Sequence, residues 1–294
     1  MELLSHCPLC NGQIFEKFQE SKDFTVSNEL FTIVKCASCG LHFTNPRPSA
    51  SEIGPFYESK DYISHTNSKQ GLINTVYQMV RNYSLKKKVD LINSQSEKGN
   101  LLDIGCGTGE FLNAAKKNGW STKGIEPNDK ARDMGVKNYS LDISPENALP
   151  GLKPGSYDVI TMWHVLEHVH ELDKRIKELH SLLKSGGVAV IAVPNMNSYD
   201  AKTYNKDWAA YDVPRHLYHF TPSVIKKAFA DRGLSHIFSM PMKFDSFYVS
   251  MLSEKYVHGK NKLVSAFLTG LKSNGAAGGD AEKYSSVIYI FKKA

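Results

Sequence analysis

From residue 99 onward the chain falls into short runs of two kinds. Leu101–Ile104, Ser121–Ile125, Tyr139–Ile143, Tyr157–Met162 and Val188–Val193 are compact stretches with the pattern of buried strands. Between them, Glu110–Asn118, Asn128–Gly135 and Leu172–Leu183 carry apolar residues at helical spacing. Gly119 stops the first of these helices, and Lys184-Ser185-Gly186-Gly187 closes the last. Upstream, Leu72, Val76, Met79, Val80, Tyr83, Val89 and Ile92 share one face, which predicts a helix over 72–92. Downstream, the pattern predicts a helix over Ser223–Arg232 ended by Gly233, a strand over Leu234–Ser239, helix within 249–270, a flexible loop over Ser273–Asp280 and a last strand over Ser286–Phe291. Strands alternating with helices imply a doubly wound, mostly parallel α/β sheet with right-handed crossovers.

Residues 194–222 break this alternation, with Tyr199, Tyr204, Trp208, Tyr211 and Tyr218 set among polar residues. A long irregular segment is often functional. It reads either as a lid over an acceptor, with Trp208 and Tyr211 stacking on a ring, or as aromatics anchoring the segment on the core.

Composition adds bounds. A chain of 294 residues, 41% hydrophobic and 22% charged, suits one large α/β domain plus a small module. The net charge of +6 permits an anionic ligand without demanding nucleic acid. The run Lys86-Lys87-Lys88 reads as a solvated helix face or as a phosphate-binding patch. The longest aliphatic run, Val188–Val193, is too short to cross a bilayer, and no secretory pattern opens the sequence. The expectation is a cytoplasmic protein with no membrane partner, and paired cysteines in that compartment read as metal ligands.

Four of the five cysteines lie in the first forty residues. Cys7-Pro8-Leu9-Cys10 and Cys36-Ala37-Ser38-Cys39 are two C-x2-C pairs with 25 residues between them. Each pair can grip one ion from a tight turn, and two pairs complete the tetrahedron of a closed, structural Zn²⁺ site. Ile14–Phe18 and Leu30–Val34 are candidate strands of a zinc ribbon. Residues 1–48 are therefore expected to form this module, 49–98 a linker with N-terminal helices, and 99–294 the main domain.

Asp103-Ile104-Gly105-Cys106-Gly107-Thr108-Gly109 sits between a predicted strand and a predicted helix, where open α/β sheets bind ligands. The spacing is G-x-G-x-G, not the G-x-G-x-x-G of a dinucleotide site. Glu126 ends the next strand, 23 residues after Asp103. Cys106 reads as a small residue filling a tight turn, or as a reactive thiol without an obvious base beside it.

Taken in order, Leu101–Gly109, Gly124-Ile125-Glu126-Pro127-Asn128, Tyr157-Asp158-Val159-Ile160 and Leu183–Gly187 resemble the class I methyltransferases, over roughly residues 72–294. The resemblance implies a Rossmann-like fold and S-adenosyl-L-methionine as cofactor. Gly105, Cys106, Gly107 and Gly109 would then hold its methionine part, Asp103 its ammonium, Glu126 its ribose, and Asp142-Ile143 would lie beside its adenine. The cysteine module is similar to N-terminal zinc-binding segments on some sugar methyltransferases.

Met162-Trp163-His164-Val165-Leu166-Glu167-His168-Val169-His170 follows the fourth strand of this pattern. If it turns helical, His164 and His168 share a face beside Glu167. Pro214-Arg215-His216-Leu217-Tyr218-His219 can bring His216 or His219 to the same place. One reading is a histidine general base for an acceptor hydroxyl. The other is a second divalent metal that acidifies acceptor oxygens. Ubiquinone-pathway and small-RNA O-methyltransferases carry Glu-x2-Glu-His here and use it for such an ion, and His164 replaces the first glutamate in this chain. A third reading is that Glu167-His168 only orients local backbone.

The expected activity is O- or N-methylation of a small acceptor such as a sugar or phenol. RNA or protein methylation guided by the zinc module, and a non-catalytic binding protein on the same fold, stand as alternatives.

Overall fold

The computed structural model describes residues 1–58 and 72–294, with side chains in the helix from Leu72 described from Gln78 onward. The strands β1 (Phe15–Lys22), β2 (Leu30–Cys36) and β3 (His42–Thr44) come first. A long helix, α1 (Leu72–Gln95), leads into β4 (Asn100–Ile104), α2 (Glu110–Lys117), β5 (Ser121–Ile125), α3 (Asp129–Tyr139) and β6 (Ile143–Ser144). The chain then returns through β7 (Tyr157–Trp163), α4 (Leu172–Leu182) and β8 (Leu183–Pro194). It continues with α5 (Tyr199–Tyr204), β9 (Tyr218–His219), α6 (Pro222–Ala230), β10 (Leu234–Pro241), α7 (Asp245–His258), α8 (Leu263–Ala277) and β11 (Ser286–Lys293). No described helix is long and apolar enough to cross a membrane.

Among the described residues the strands form two sheets. The larger has the order β10-β11-β8-β7-β4-β5-β6. β4 pairs in parallel with both β5 and β7, and the outer pairs β5–β6 and β7–β8 are parallel as well. β11 runs antiparallel between β8 and β10. This is the doubly wound, mostly parallel sheet expected from the alternation. Its central strands are buried on both faces, as Ile160 and Ile191 show on one and Val159 and Val190 on the other, and helix layers cover them. The winding direction reverses between β4 and β7, which opens a crevice at their carboxyl ends.

Local chemistry sets the helix ends. Gly109 at φ +81° starts α2, with Glu110 in its first turn and Lys116 and Lys117 in its last. The Asn128 side chain caps α3 by accepting from the Ala131 amide. Ser140 in the left-handed region ends α3 one residue after Tyr139, so the strand predicted over Tyr139–Ile143 contracts to Ile143–Ser144.

Three other expectations change. The helix expected within 249–270 is two helices, broken at Gly259, which adopts φ +68°. Most of the loop expected over Ser273–Asp280 is the last turn of α8. Asn274 and Gly275 have weak helix propensity, but Ser273 and Ala277 are buried on one face, and that packing overrides it. The aromatic segment is anchored rather than open. Trp208 and Tyr211 are buried, and the Trp208 indole donates to Asp200 at 2.8 Å.

Asp200 has no solvent exposure and also accepts from the hydroxyls of Ser273 at 2.7 Å and Ser285 at 2.6 Å. One carboxylate thus ties α5, α8 and the start of β11 together.

The smaller sheet has the order β1-β2-β3-β9. Its last strand comes from far along the chain, with His42 opposite His219 and Phe43 opposite Tyr218. Arg47, expected in a connector, is buried and donates to Glu2, to the Tyr218 hydroxyl and to the His170 carbonyl. Arg215 is buried against Asp23 at 3.0 Å and also pairs with Asp212. The cysteine-bearing sheet is therefore joined to the main domain by strand pairing and by buried charge.

Replacing Asp200 with Ala strands three buried donors. The expected cost is about 3 kcal/mol, a fall in Tm of roughly 6–12 °C by scanning calorimetry. Tyr199→Ala, on an exposed neighbour, should leave Tm within about 2 °C of the parent. Equal effects from the two would show that Asp200 does not tie these elements together.

Candidate functional site

At the β4–β7 crevice lies a cavity of about 250 Å³. Asp103, Gly105 and Cys106 form its floor, Glu110 and Phe111 of α2 and Trp163 of β7 form walls, and Arg81, Ser84, Leu85 and Lys88 of α1 close it. Gly105 sits at φ +73°, and a Cβ there would fall 2.4 Å from Val165 Cγ2, so no other residue fits. The amides of Gly105 and Cys106 both donate to the Ile125 carbonyl, which folds the loop over the end of β5.

Two acids flank the loop. Asp103 is buried and accepts from the Thr161 hydroxyl at 2.6 Å. Burial pushes its carboxyl up, to about 7, while Thr161 and the Lys88 ammonium hold it down and Glu126 adds to the rise. Glu126 accepts from the amides of Gly107 at 2.8 Å and Asn128 at 2.9 Å. Its own burial raises its pKa, and those two amides oppose the rise.

Gly109 lies behind the loop, where a Cβ would meet Leu141 at 2.5 Å. Cys106 packs its sulfur against Gly124, and burial, then Asp103 and Glu126, push its thiol up. It fills the turn and is not a thiolate. Ile143 packs beside Gly109 and Gly135. The Asp142 carboxylate points outward to Lys123 at 3.0 Å, while its carbonyl accepts from Gly124.

Reading the lysine run as a single face missed Lys88. Lys86 and Lys87 are exposed, but the Lys88 ammonium turns inward, 4.2 Å from the centre of the Trp163 ring. Burial lowers its pKa, and Asp103 and Asp245 raise it. Arg81, two turns earlier on the same face, pairs with Glu110. The available signal was the seven-residue spacing of two cations on the helix ahead of the glycine loop.

The histidine stretch does not turn into an α-helix. His164 adopts φ +57° and Leu166–His168 forms a single 3-10 turn. His164 is nevertheless brought beside Glu167. Its Nε2 lies 3.0 Å from Asp245 of α7, and its Nδ1 lies 3.4 Å from Glu167, within ion-pair range. Burial alone lowers its pKa, but Asp245 and then Glu167 outweigh this and raise it to about 10.

Glu167 is fully buried, and neither of its carboxylate oxygens has a hydrogen-bond partner. His168 and His216 stand next to it. One donor atom from each of the three lies within 4.8 Å of the other two. His168 Nδ1 faces the Arg215 carbonyl at 3.0 Å, and His216 Nδ1 faces the Ala210 carbonyl at 2.9 Å. The Tyr57 hydroxyl is also 3.1 Å from His168 Nδ1, and His216 Nε2 lies 4.0 Å from Glu167. A carbonyl only accepts, so Nδ1 donates in both rings. This orienting bond is typical of metal-binding histidines. An orphaned buried carboxylate with two such rings fits a divalent cation. His219 is not in this group. It lies in the smaller sheet, with Nε2 3.2 Å from the Thr44 hydroxyl.

The four cysteines converge. Cys7 and Cys39 sulfurs are 3.6 Å apart, as are those of Cys10 and Cys36, and all four lie within 4.8 Å of one another. A tetrahedron of thiolates around zinc has edges of ~3.8 Å, so the set fits that ion.

Comparison with known proteins gives a consistent result. A family model described as a methyltransferase domain matches residues 77–237, more than half of the chain. The chain is 27% identical over 148 residues to the ubiquinone biosynthesis O-methyltransferase of Cupriavidus pinatubonensis, covering 46% of this chain and 59% of that protein. It is 35% identical over 100 residues to the protein of the same name from Pelagibacter ubique, covering 32% and 42%. The chain spans about half the length of the curated relatives it matches. A SAM-dependent methyltransferase from Archaeoglobus fulgidus superposes with a TM-score of 0.52 at 18% identity, over 76% of this chain and 100% of that one. The geranyl diphosphate C-methyltransferase of Streptomyces coelicolor gives 0.50 at 16% identity, over 71% and 80%. At such identities the structural likeness establishes the fold.

The His164 clamp has a pH signature. Its raised pKa stabilises the folded state fully below the ordinary value of 6.5, and that contribution is lost as pH rises through about 10. In nitrogen NMR the ring should stay protonated at pH 8, and Asp245→Asn should lower its midpoint by about one unit or more. A wild-type midpoint near 6.5 would contradict the clamp.

Proposed function

Since the chain belongs to the methyltransferase-domain family, we propose that it transfers a methyl group from S-adenosylmethionine to a hydroxyl of a small phenolic or similar acceptor. The observation that carries this reading is the cavity at the strand reversal, floored by Asp103, Gly105 and Cys106, with Glu126 tied to the Gly107 amide of the same glycine loop.

In this reading Asp103 holds the cofactor's ammonium, and Glu126, already pinned by two amides, accepts from the ribose hydroxyls. Gly105, Gly107 and Gly109 let the backbone approach the methionine part. Arg81 and Lys88 supply the cations for its carboxylate, and α1 excludes water from above. Ile143 borders the adenine, with Asp142 contributing through its backbone. Cys7, Cys10, Cys36 and Cys39 hold a structural Zn²⁺.

Glu167, His168 and His216 hold a second, divalent cation, with His164 completing the charge around Glu167. That ion supplies Lewis acidity, which lowers the pKa of a hydroxyl acceptor. The buried Glu167 oxygens, ringed by imidazoles but without a hydrogen bond, support this reading over a purely structural turn. The similarity to ubiquinone biosynthesis O-methyltransferases supports oxygen as the methylated atom and a phenol as the acceptor class.

Calorimetric titration with S-adenosylmethionine should give saturable binding that Glu126→Ala weakens at least about tenfold, the effect of losing charge-assisted hydrogen bonds. Binding should also weaken as pH falls through about 7, because protonated Asp103 no longer attracts an ammonium. Absence of saturable binding at neutral pH would sink the methyltransferase reading. Elemental analysis should find one zinc per chain, and Cys36→Ser should lose it together with thermal stability. Glu167→Gln should reduce binding of added divalent ion while leaving cofactor affinity within about twofold of the parent, since Glu167 does not line that cavity.

A further inference from the structure

We propose that the outer face of α8 docks on the surface of an anionic lipid bilayer. The helix is turned the opposite way from an ordinary surface helix. Its buried residues are the small Ala266, Gly270, Ser273 and Ala277. Its large apolar residues face outward, with Leu263 55% exposed, Val264 75%, Phe267 56%, Leu268 49% and Leu271 46%. These positions form one continuous stripe at helical spacing, and a surface helix normally shows water its polar side. Rotation cannot bury the stripe. A Cβ on Gly270 would sit 2.6 Å from Phe247 Cδ1, so α7 and α8 are in contact through the small face.

Charge selects the occupant. From Gly259 to Gly279 there is no Asp or Glu, while Lys260, Lys262 and Lys272 are exposed and make no ion pair among the described residues. A second copy of the chain would set these lysines against one another. A polyphosphate surface would pair them but leave the stripe in water. An anionic bilayer takes both, with the stripe in the acyl boundary and the ammonium groups at the headgroup phosphates.

The docking itself stands apart from the methyl-transfer reading, because it is measured without cofactor.

The test is sedimentation of the full chain with sucrose-loaded vesicles. One set is phosphatidylcholine alone, and the other contains phosphatidylglycerol at about 30%. The protein should sediment with the anionic set, weakly with the neutral one, and less as salt rises. Val264→Ser with Leu268→Ser, and separately Lys260→Gln with Lys262→Gln and Lys272→Gln, should each lower the partition coefficient roughly tenfold or more. Both variants alter exposed side chains, so an unchanged Tm identifies a surface effect. No binding to anionic vesicles by the wild type overturns the proposal, as does binding that neither variant changes. A wild-type dimer that Val264→Ser with Leu268→Ser dissociates, without vesicle binding, assigns the face to a second copy and overturns it too.

Discussion

The parallel pairing of β4 with β5 on one side and β7 on the other is the constraint from which the site follows. Parallel strands deliver their carboxyl ends to one edge of the sheet. In this register Asp103 stands opposite Gly124 on β5 and Thr161 on β7. The glycine loop, Glu126 and the Trp163-His164 turn therefore leave from the same edge. The hydrogen bond from Thr161 to Asp103 is a direct product of that register. It holds a buried carboxylate that has lost most of its hydration.

The charges at this edge are stabilised from outside the winding. Asp103 has Lys88 of α1 nearby, and His164 has Asp245 of α7. Burial works against every one of these charged forms, and only a partner brought in by the fold offsets it. The segments before β4 and after β10 therefore complete the site and do more than cover it. Glu167 follows the same rule: burial pushes its carboxyl up, and the His164 ring, 3.4 Å away, and His216 bring it down.

The cysteine-bearing sheet depends on the same logic. Its β3 edge pairs with β9, two residues beyond His216, and its Asp23 holds Arg215, one residue before His216. The loop that presents His216 to Glu167 is thus fixed from both sides by the N-terminal sheet. Breaking a buried pair leaves an uncompensated charge. The sheet that carries Cys7, Cys10, Cys36 and Cys39 therefore reaches the histidine cluster through strand pairing and buried charge.

The sequence by itself determined the alternating strands and helices, the glycine loop with Asp103 and Glu126, and the two cysteine pairs. Each is a local pattern, written in residues a few positions apart, and local spacing is what periodicity and turn chemistry report. Only the tertiary structure decided the rest. It turned Lys88 inward from a run whose neighbours face water, and chose His216 over His219 as the partner of Glu167 and His168. It also buried Trp208 and Tyr211, and made the glycine-rich end of α8 helical by packing Ser273 against Asp200. The outward apolar stripe of α8 likewise becomes visible only once the fold sets its small residues inward. In each case the deciding neighbour is distant in sequence, and a single chain read alone carries no record of which distant side chains share the cost of burying a charge or the gain of burying an apolar face.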